Sequence, residues 1–128
     1  MYTNALNAYR NVGKATMTGR ELEASVLTQA ALKLKDCQDN WGKPGEETKL
    51  DIALKYNQKI WTIFQSELAK ADNPLPSHLK RDLLSLSTFI DKRIFEIMAY
   101  PAPEKLSVVI NINSNIAAGL RSQPGQHS

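Results

Sequence analysis

The sequence predicts an all-α fold, a small antiparallel bundle of four to five helices, and three observations carry that prediction. Apolar residues recur at steps of three and four along most of the chain, the spacing that gathers them on one side of a helix. The breaks Gly42-Lys43-Pro44-Gly45, Asn73-Pro74-Leu75-Pro76 and Tyr100-Pro101-Ala102-Pro103 cut this pattern into helix-length pieces. At 128 residues and 42% apolar composition the chain matches one domain with a real core. A domain of this size buries roughly two thirds of its unfolded surface, so it needs no disulfide or metal to hold it. Residues 1–121 are therefore expected to form a single helical domain and 122–128 a disordered polar tail.

In chain order, Asn4 to Lys14 carries Leu6, Tyr9 and Val12 at helical spacing, enough for a short first helix. Thr18-Gly19-Arg20-Glu21 then has the form of a capping box, in which the Thr18 hydroxyl accepts from the Glu21 N–H and the Glu21 carboxylate returns to Thr18. From there Leu22, Val26, Leu27, Ala30, Ala31, Leu34 and Cys37 form an apolar stripe that runs out near Asn40 and Trp41. Gly42 and Gly45 permit positive φ and Pro44 cannot sit inside a helix, so the next helix starts near Glu46. Glu46 and Glu47 suit its first turn, where the helix dipole favours negative charge. Its stripe, Leu50, Ala53, Leu54, Ile60, Trp61, Phe64 and Leu68, is interrupted by Asn57 and ends before Pro74.

Ser77 is placed to cap a third long helix in which Leu79, Leu83, Leu86, Ile90, Ile94 and Ile97 repeat. Leu84, Phe89, Phe95 and Met98 widen that stripe, so the helix must be central to the bundle or keep a face for a partner. The segment Val109 to Ile116 partly alternates as a strand would, but Leu106, Val109, Ile110, Asn113, Ile116, Ala117 and Leu120 fit helical steps better, and Pro103 suits a first turn. A lone strand would also have no partner for its backbone.

Charge excludes some functions. Sixteen basic and thirteen acidic residues give a net +3, with no block of either sign. Lys80-Arg81 and Lys92-Arg93 each sit beside an aspartate, Asp82 and Asp91, as on a solvated helix face. The aromatic residues lie in apolar stripes and do not alternate with basic ones, which disfavours base stacking. The N-terminus lacks the charged and apolar regions of a secretory signal, and no run of about 18 apolar residues could span a bilayer. One cysteine, Cys37, cannot form an intrachain bridge and suits a reducing compartment, so the expected location is the cytoplasm.

No catalytic constellation emerges, and an enzyme is the least expected class. The histidines are His78, just after Pro76, and His127 in the tail, neither placed to join Cys37 as a base. Cys37 with Asp36 and Asp39 matches a solvated helix edge better than a metal site, and no glycine-rich phosphate loop exists. No cofactor or metal is expected. Partner binding has the best physical case, because the apolar stripes are wider than a small bundle requires. Asn57 and Asn113 each sit on an apolar face, where a buried amide must bond to the other, to a loop or to a partner, since an unpaired one costs about 1–3 kcal/mol.

Several spaced motifs carry a resemblance. They are Ala8-Tyr9, Arg20-Glu21-Leu22-Glu23, Tyr56-Asn57 ahead of Trp61-Thr62-Ile63-Phe64, Asp72-Asn73-Pro74-Leu75-Pro76, Pro103-Glu104-Lys105-Leu106, Asn111-Ile112-Asn113 and Ile116-Ala117-Ala118-Gly119-Leu120. In this order, and over nearly the whole chain, the sequence resembles the FlaF flagellar biosynthesis regulators of alphaproteobacteria. The resemblance implies a cytoplasmic protein needed for flagellin production and filament assembly, one that binds flagellin as an export chaperone and opposes the related regulator FlbT. It carries no catalytic residues. The alternative is a post-transcriptional regulator acting on flagellin messenger RNA or through FlbT, and a purely structural homodimer is a third possibility. A chaperone needs an apolar groove for flagellin's amphipathic terminal helices. Such a groove is expected between the Glu46 to Ala71 helix and the last helix, with Trp61, Phe64, Val109 and Ile116 in or near it.

Overall fold

The computed structural model describes residues 19–122 as four helices, α1 (Gly19–Asp39), α2 (Glu46–Ala69), α3 (Ser77–Ala99) and α4 (Leu106–Arg121), with a 3-10 turn at Pro103–Lys105 leading into α4. The expected helix over Asn4 to Lys14, Thr18 of the capping box and the tail from Gln123 lie outside the described residues. The all-α expectation holds, and the ambiguous Val109 to Ile116 stretch is helix.

Helix ends follow local chemistry. Gly42 and Gly45 both have φ of +84°, a conformation that strains any residue with a Cβ, and they turn the chain between α1 and α2. Asn73 closes the other end of α2. Its Nδ2 donates to the Glu67 carbonyl at 3.0 Å while its Oδ1 accepts the Leu75 N–H at 3.1 Å, so one amide satisfies a terminal carbonyl and sets the turn. Ser77, expected as the cap of α3, is instead its first helical residue. Pro76 holds an extended ψ of 146° at the cap position, and its carbonyl accepts the Lys80 N–H at 3.0 Å.

α1 and α4 run antiparallel and form the most extensive contact between elements. The Gln38 side chain donates to the Pro103 carbonyl and the Ser107 hydroxyl at one end, and Arg121 donates to Thr28 at the other. Buried Ala24, Ala30 and Ala117 are small enough to let the two backbones approach closely. α2 packs against α1 and against α3, where Gln65 donates to Asp91 at 3.0 Å. α3 and α4 approach each other little, although a short connection joins them.

A buried polar chain ties three helices together. Asn57 Nδ2 donates to the carbonyls of Ala53 (2.9 Å) on its own helix and Ala30 (3.2 Å) on α1. Asn113 Nδ2 on α4 donates to Asn57 Oδ1 at 2.6 Å, and Asn113 Oδ1 accepts the Trp61 indole N–H at 2.9 Å. Both amides are fully buried and have all their main partners, so the interruption of each apolar stripe is a bond between helices. Around it pack Leu27, Leu34, Leu54, Ile60, Ile90, Ile94, Ile97, Leu106 and Val109. The exposed ion pairs Lys35–Asp39, Lys55–Asp51 and Arg93–Glu96 decorate the surface, where such pairs contribute little.

Replacing Asn113 by Ala orphans both the Asn57 oxygen and the Trp61 N–H, with an expected loss of about 2–4 kcal/mol in urea unfolding. The double variant Asn57→Ala, Asn113→Ala should cost less than the sum of its single substitutions, because each single change strands a partner that the other removes. Burial pushes the Cys37 thiol above its ordinary pKa, with nearby Glu46 and Asp36 adding to the effect. The unfolded thiol therefore loses its proton first, the native state holds more protons above the ordinary thiol pKa, and stability should fall as pH rises through that window. Urea midpoints at alkaline pH for the wild type and Cys37→Ala check this, the variant losing that component of the slope.

Candidate functional site

Phe64 occupies an unusual position. On α2 it lies at the middle of the inward stripe, on the same side as Leu50, Asn57, Ile60 and Leu68, all of which are buried. Phe64 itself is only half-buried. Its ring meets the buried Trp61 indole edge to face, with centroids 5.8 Å apart and planes at 87°, a favoured aromatic geometry. The core side of α2 is therefore incompletely covered at this level.

The neighbouring helices explain the opening. On α3 no residue before Ser87 is buried, and Leu83, Leu84 and Leu86 are half-exposed while Leu79 is exposed. On α4, Ile112, Ile116 and Leu120 recur at four-residue steps and are half-buried, on the flank away from Ser107 and Arg121, the residues that face α1. Helix directions bring these parts to one end of the bundle. α2 is antiparallel to α3, as Gln65 to Asp91 shows, and runs with α4, so the end of α2, the start of α3 and the end of α4 lie together. The half-buried Phe64, Leu83, Leu86, Ile116 and Leu120 thus fall at one end of the bundle, where α3 and α4 approach each other little and leave an apolar seam.

Of the four residues expected at a groove, Phe64 and Ile116 reach this surface. Trp61 and Val109 do not, being 2% and 0% exposed, because the Asn57, Asn113 and Trp61 bridge holds α2 and α4 together across the core. α3 and α4 approach each other little, and the seam lies between them. Leu83 and Leu86 belong to it; their place in the α3 stripe signalled burial, and only the tertiary arrangement leaves them half-covered. The exposed aromatics farther along α3 form no single patch. Phe89 lies under the Arg93 guanidinium on one flank and Phe95 stands 60% exposed on the other.

The described residues hold no cluster of three or more His, Cys, Asp or Glu side chains able to bind a metal ion, and no helix long and apolar enough to cross a membrane. Residues 5–120 match the sequence profile of the flagellar protein FlaF family. This chain belongs to the FlaF family. The match takes in α1, α2, α3 and α4 as far as Leu120, so in this FlaF-family chain the seam lies wholly within the matched region. No curated protein and no solved structure matches the chain.

Core and seam should separate on mutation. Trp61→Ala removes a buried ring and strands Asn113, with an expected cost of about 3–5 kcal/mol, whereas Phe64→Ala should cost clearly less because its ring is already partly in water and bonds no polar partner. Chemical denaturation of the two variants under one condition measures the difference.

Proposed function

We propose that this flagellar protein is a flagellin chaperone that takes an amphipathic terminal helix of flagellin into the α3–α4 seam. The half-exposed Phe64 at the centre of an otherwise buried stripe is the observation that carries this reading. Membership of the FlaF family supports it from the side of biology. A helix laid in the seam would present residues at steps of three and four to Phe64, Leu83, Leu86 and Ile116, the helix-in-groove mode of recognition.

Magnitudes set a requirement on the ligand. Completing the burial of a half-covered large apolar side chain is worth roughly 1 kcal/mol, so these four residues supply about 4 kcal/mol, near a millimolar complex. A micromolar complex needs about 8 kcal/mol and hence contacts along the full seam, from Leu79 on α3 to Ile112 on α4. Flagellin's amphipathic terminal helices, whose apolar faces would otherwise associate before export, are the proposed occupant. By shielding them in the cytoplasm the protein would promote flagellin accumulation and filament assembly.

Purified full-length protein mixed with monomeric flagellin should form a complex at micromolar concentration, read by sedimentation or calorimetry. Phe64→Asp and Ile116→Asp should each weaken it about tenfold or more while leaving the far-ultraviolet circular dichroism of the helices in place. Absence of any complex at tens of micromolar, or full binding by both variants, would sink the assignment.

A further inference from the structure

We infer that in the free protein the α3–α4 seam is covered by residues 4–14 of the same chain, laid over Phe64 with Leu6 and Tyr9 facing inward. The seam and the start of α1 meet at one end of the bundle. α1 is antiparallel to α4, with Thr28 level with Arg121 and Gln38 with Ser107, so Gly19 and the chain before it stand beside the end of α4. Leu22 and Ala24 are 2% and 0% exposed, which pins the first turns of α1 to the core and fixes the point from which the preceding segment departs.

The residue pattern of that segment suits an apolar surface. At helical spacing Tyr2, Ala5, Leu6, Tyr9 and Val12 fall on one side, while Asn4, Asn7, Arg10, Asn11 and Lys14 fall on the other. A helix over residues 4–14 is about 16 Å long, and α4 rises about 12 Å from Ile112 to Leu120, so the segment is long enough to cover the seam. Residues 15–18 reach about 14 Å at full extension, enough to pass from one helix to the next at a spacing of about 8–10 Å. The family match begins at residue 5 and so takes in this segment together with the four helices.

Tethering decides among the occupants. A contact of about millimolar strength leaves separate molecules mostly apart in dilute solution, whereas a short linker holds its segment at an effective concentration of about millimolar, so the same contact is well populated within one chain. A second copy of the protein lacks that advantage. Any helix that enters the seam from outside must displace the segment, and the cover lowers its apparent affinity by the fraction of chains left open. For flagellin this consequence rests on the function proposed above; the cover itself does not.

The test places a nitroxide spin label on the polar side of the segment, at Asn7→Cys in a full-length Cys37→Ala background, and follows methyl signals by nuclear magnetic resonance. Leu83, Leu86, Ile116 and Leu120 should lose most of their intensity, while Leu50 and Ile97 at the far end of the bundle keep theirs. Should the Cys37→Ala background fail to fold, Asn7→Cys alone serves, because the buried Cys37 escapes labelling in the native protein. Adding Tyr9→Asp should restore the seam signals. No loss at the seam, equal loss at Leu50 and Ile97, loss that Tyr9→Asp leaves unchanged, or loss that appears when spin-labelled and isotope-labelled copies are mixed would each overturn the assignment. In a flagellin titration Tyr9→Asp should tighten binding about twofold to tenfold. An unchanged affinity would overturn the competition, whereas failure of flagellin to bind either protein would sink the chaperone reading and leave the cover to the spin-label result.

Discussion

Two buried amides and one indole N–H govern how this bundle goes together. Asn57 on α2, Asn113 on α4 and the Ala30 carbonyl on α1 can bond only in one register, because a slide of either helix by a single turn would leave a fully buried donor or acceptor empty. Apolar side chains tolerate such slides far better, since one leucine fills much the same space as another. The polar chain therefore specifies an alignment that the surrounding leucines and isoleucines only reward. It also bonds α2 to α4 across the core, with α1 packed alongside both, while α3 is attached chiefly through α2. The half-covered Phe64 and the leucines at the start of α3 are the direct outcome of that unequal share.

Much of this architecture could be read from residue order. Helix spans, the Gly42 and Gly45 turn and the Pro74 to Pro76 break follow from periodicity and from the backbone freedom of single residues, both of which are local. Asn57 and Asn113 stood out for the right reason, as amides on apolar faces, although their mutual bond was one of several open outcomes. What could not be read was which members of a stripe stay wet. Trp61 and Phe64 are three residues apart on one face, yet one is core and the other seam, because α3 and α4 approach each other little and leave Phe64 partly uncovered. Ser77 failed as a cap for a local reason, the extended Pro76 taking that place. Glu46 looked like a solvated dipole partner, and its burial arises from α1 and α3 closing around the start of α2.

The two ends of the bundle thus have different characters. One end carries half-buried apolar side chains, Phe64, Leu86, Ile116 and Leu120. The other holds a cleft lined by Trp41, Glu46, Leu50 and Met98 where the end of α3 meets the start of α2.

The pairing of α1 with α4 has a consequence for synthesis. The most extensive helix contact joins the first and last described helices, so the chain must close a loop of most of its length before that contact forms. While α4 is still inside the ribosome, Asn57 lacks its partner amide and the apolar faces of α1 and α2 lie open. The nascent chain can pair α2 with α3 early, as neighbours, but its core closes only when the last helix is released. Completion of the fold is thereby tied to the release of α4, and a truncated product lacking α4 would expose the very surface that the folded protein hides.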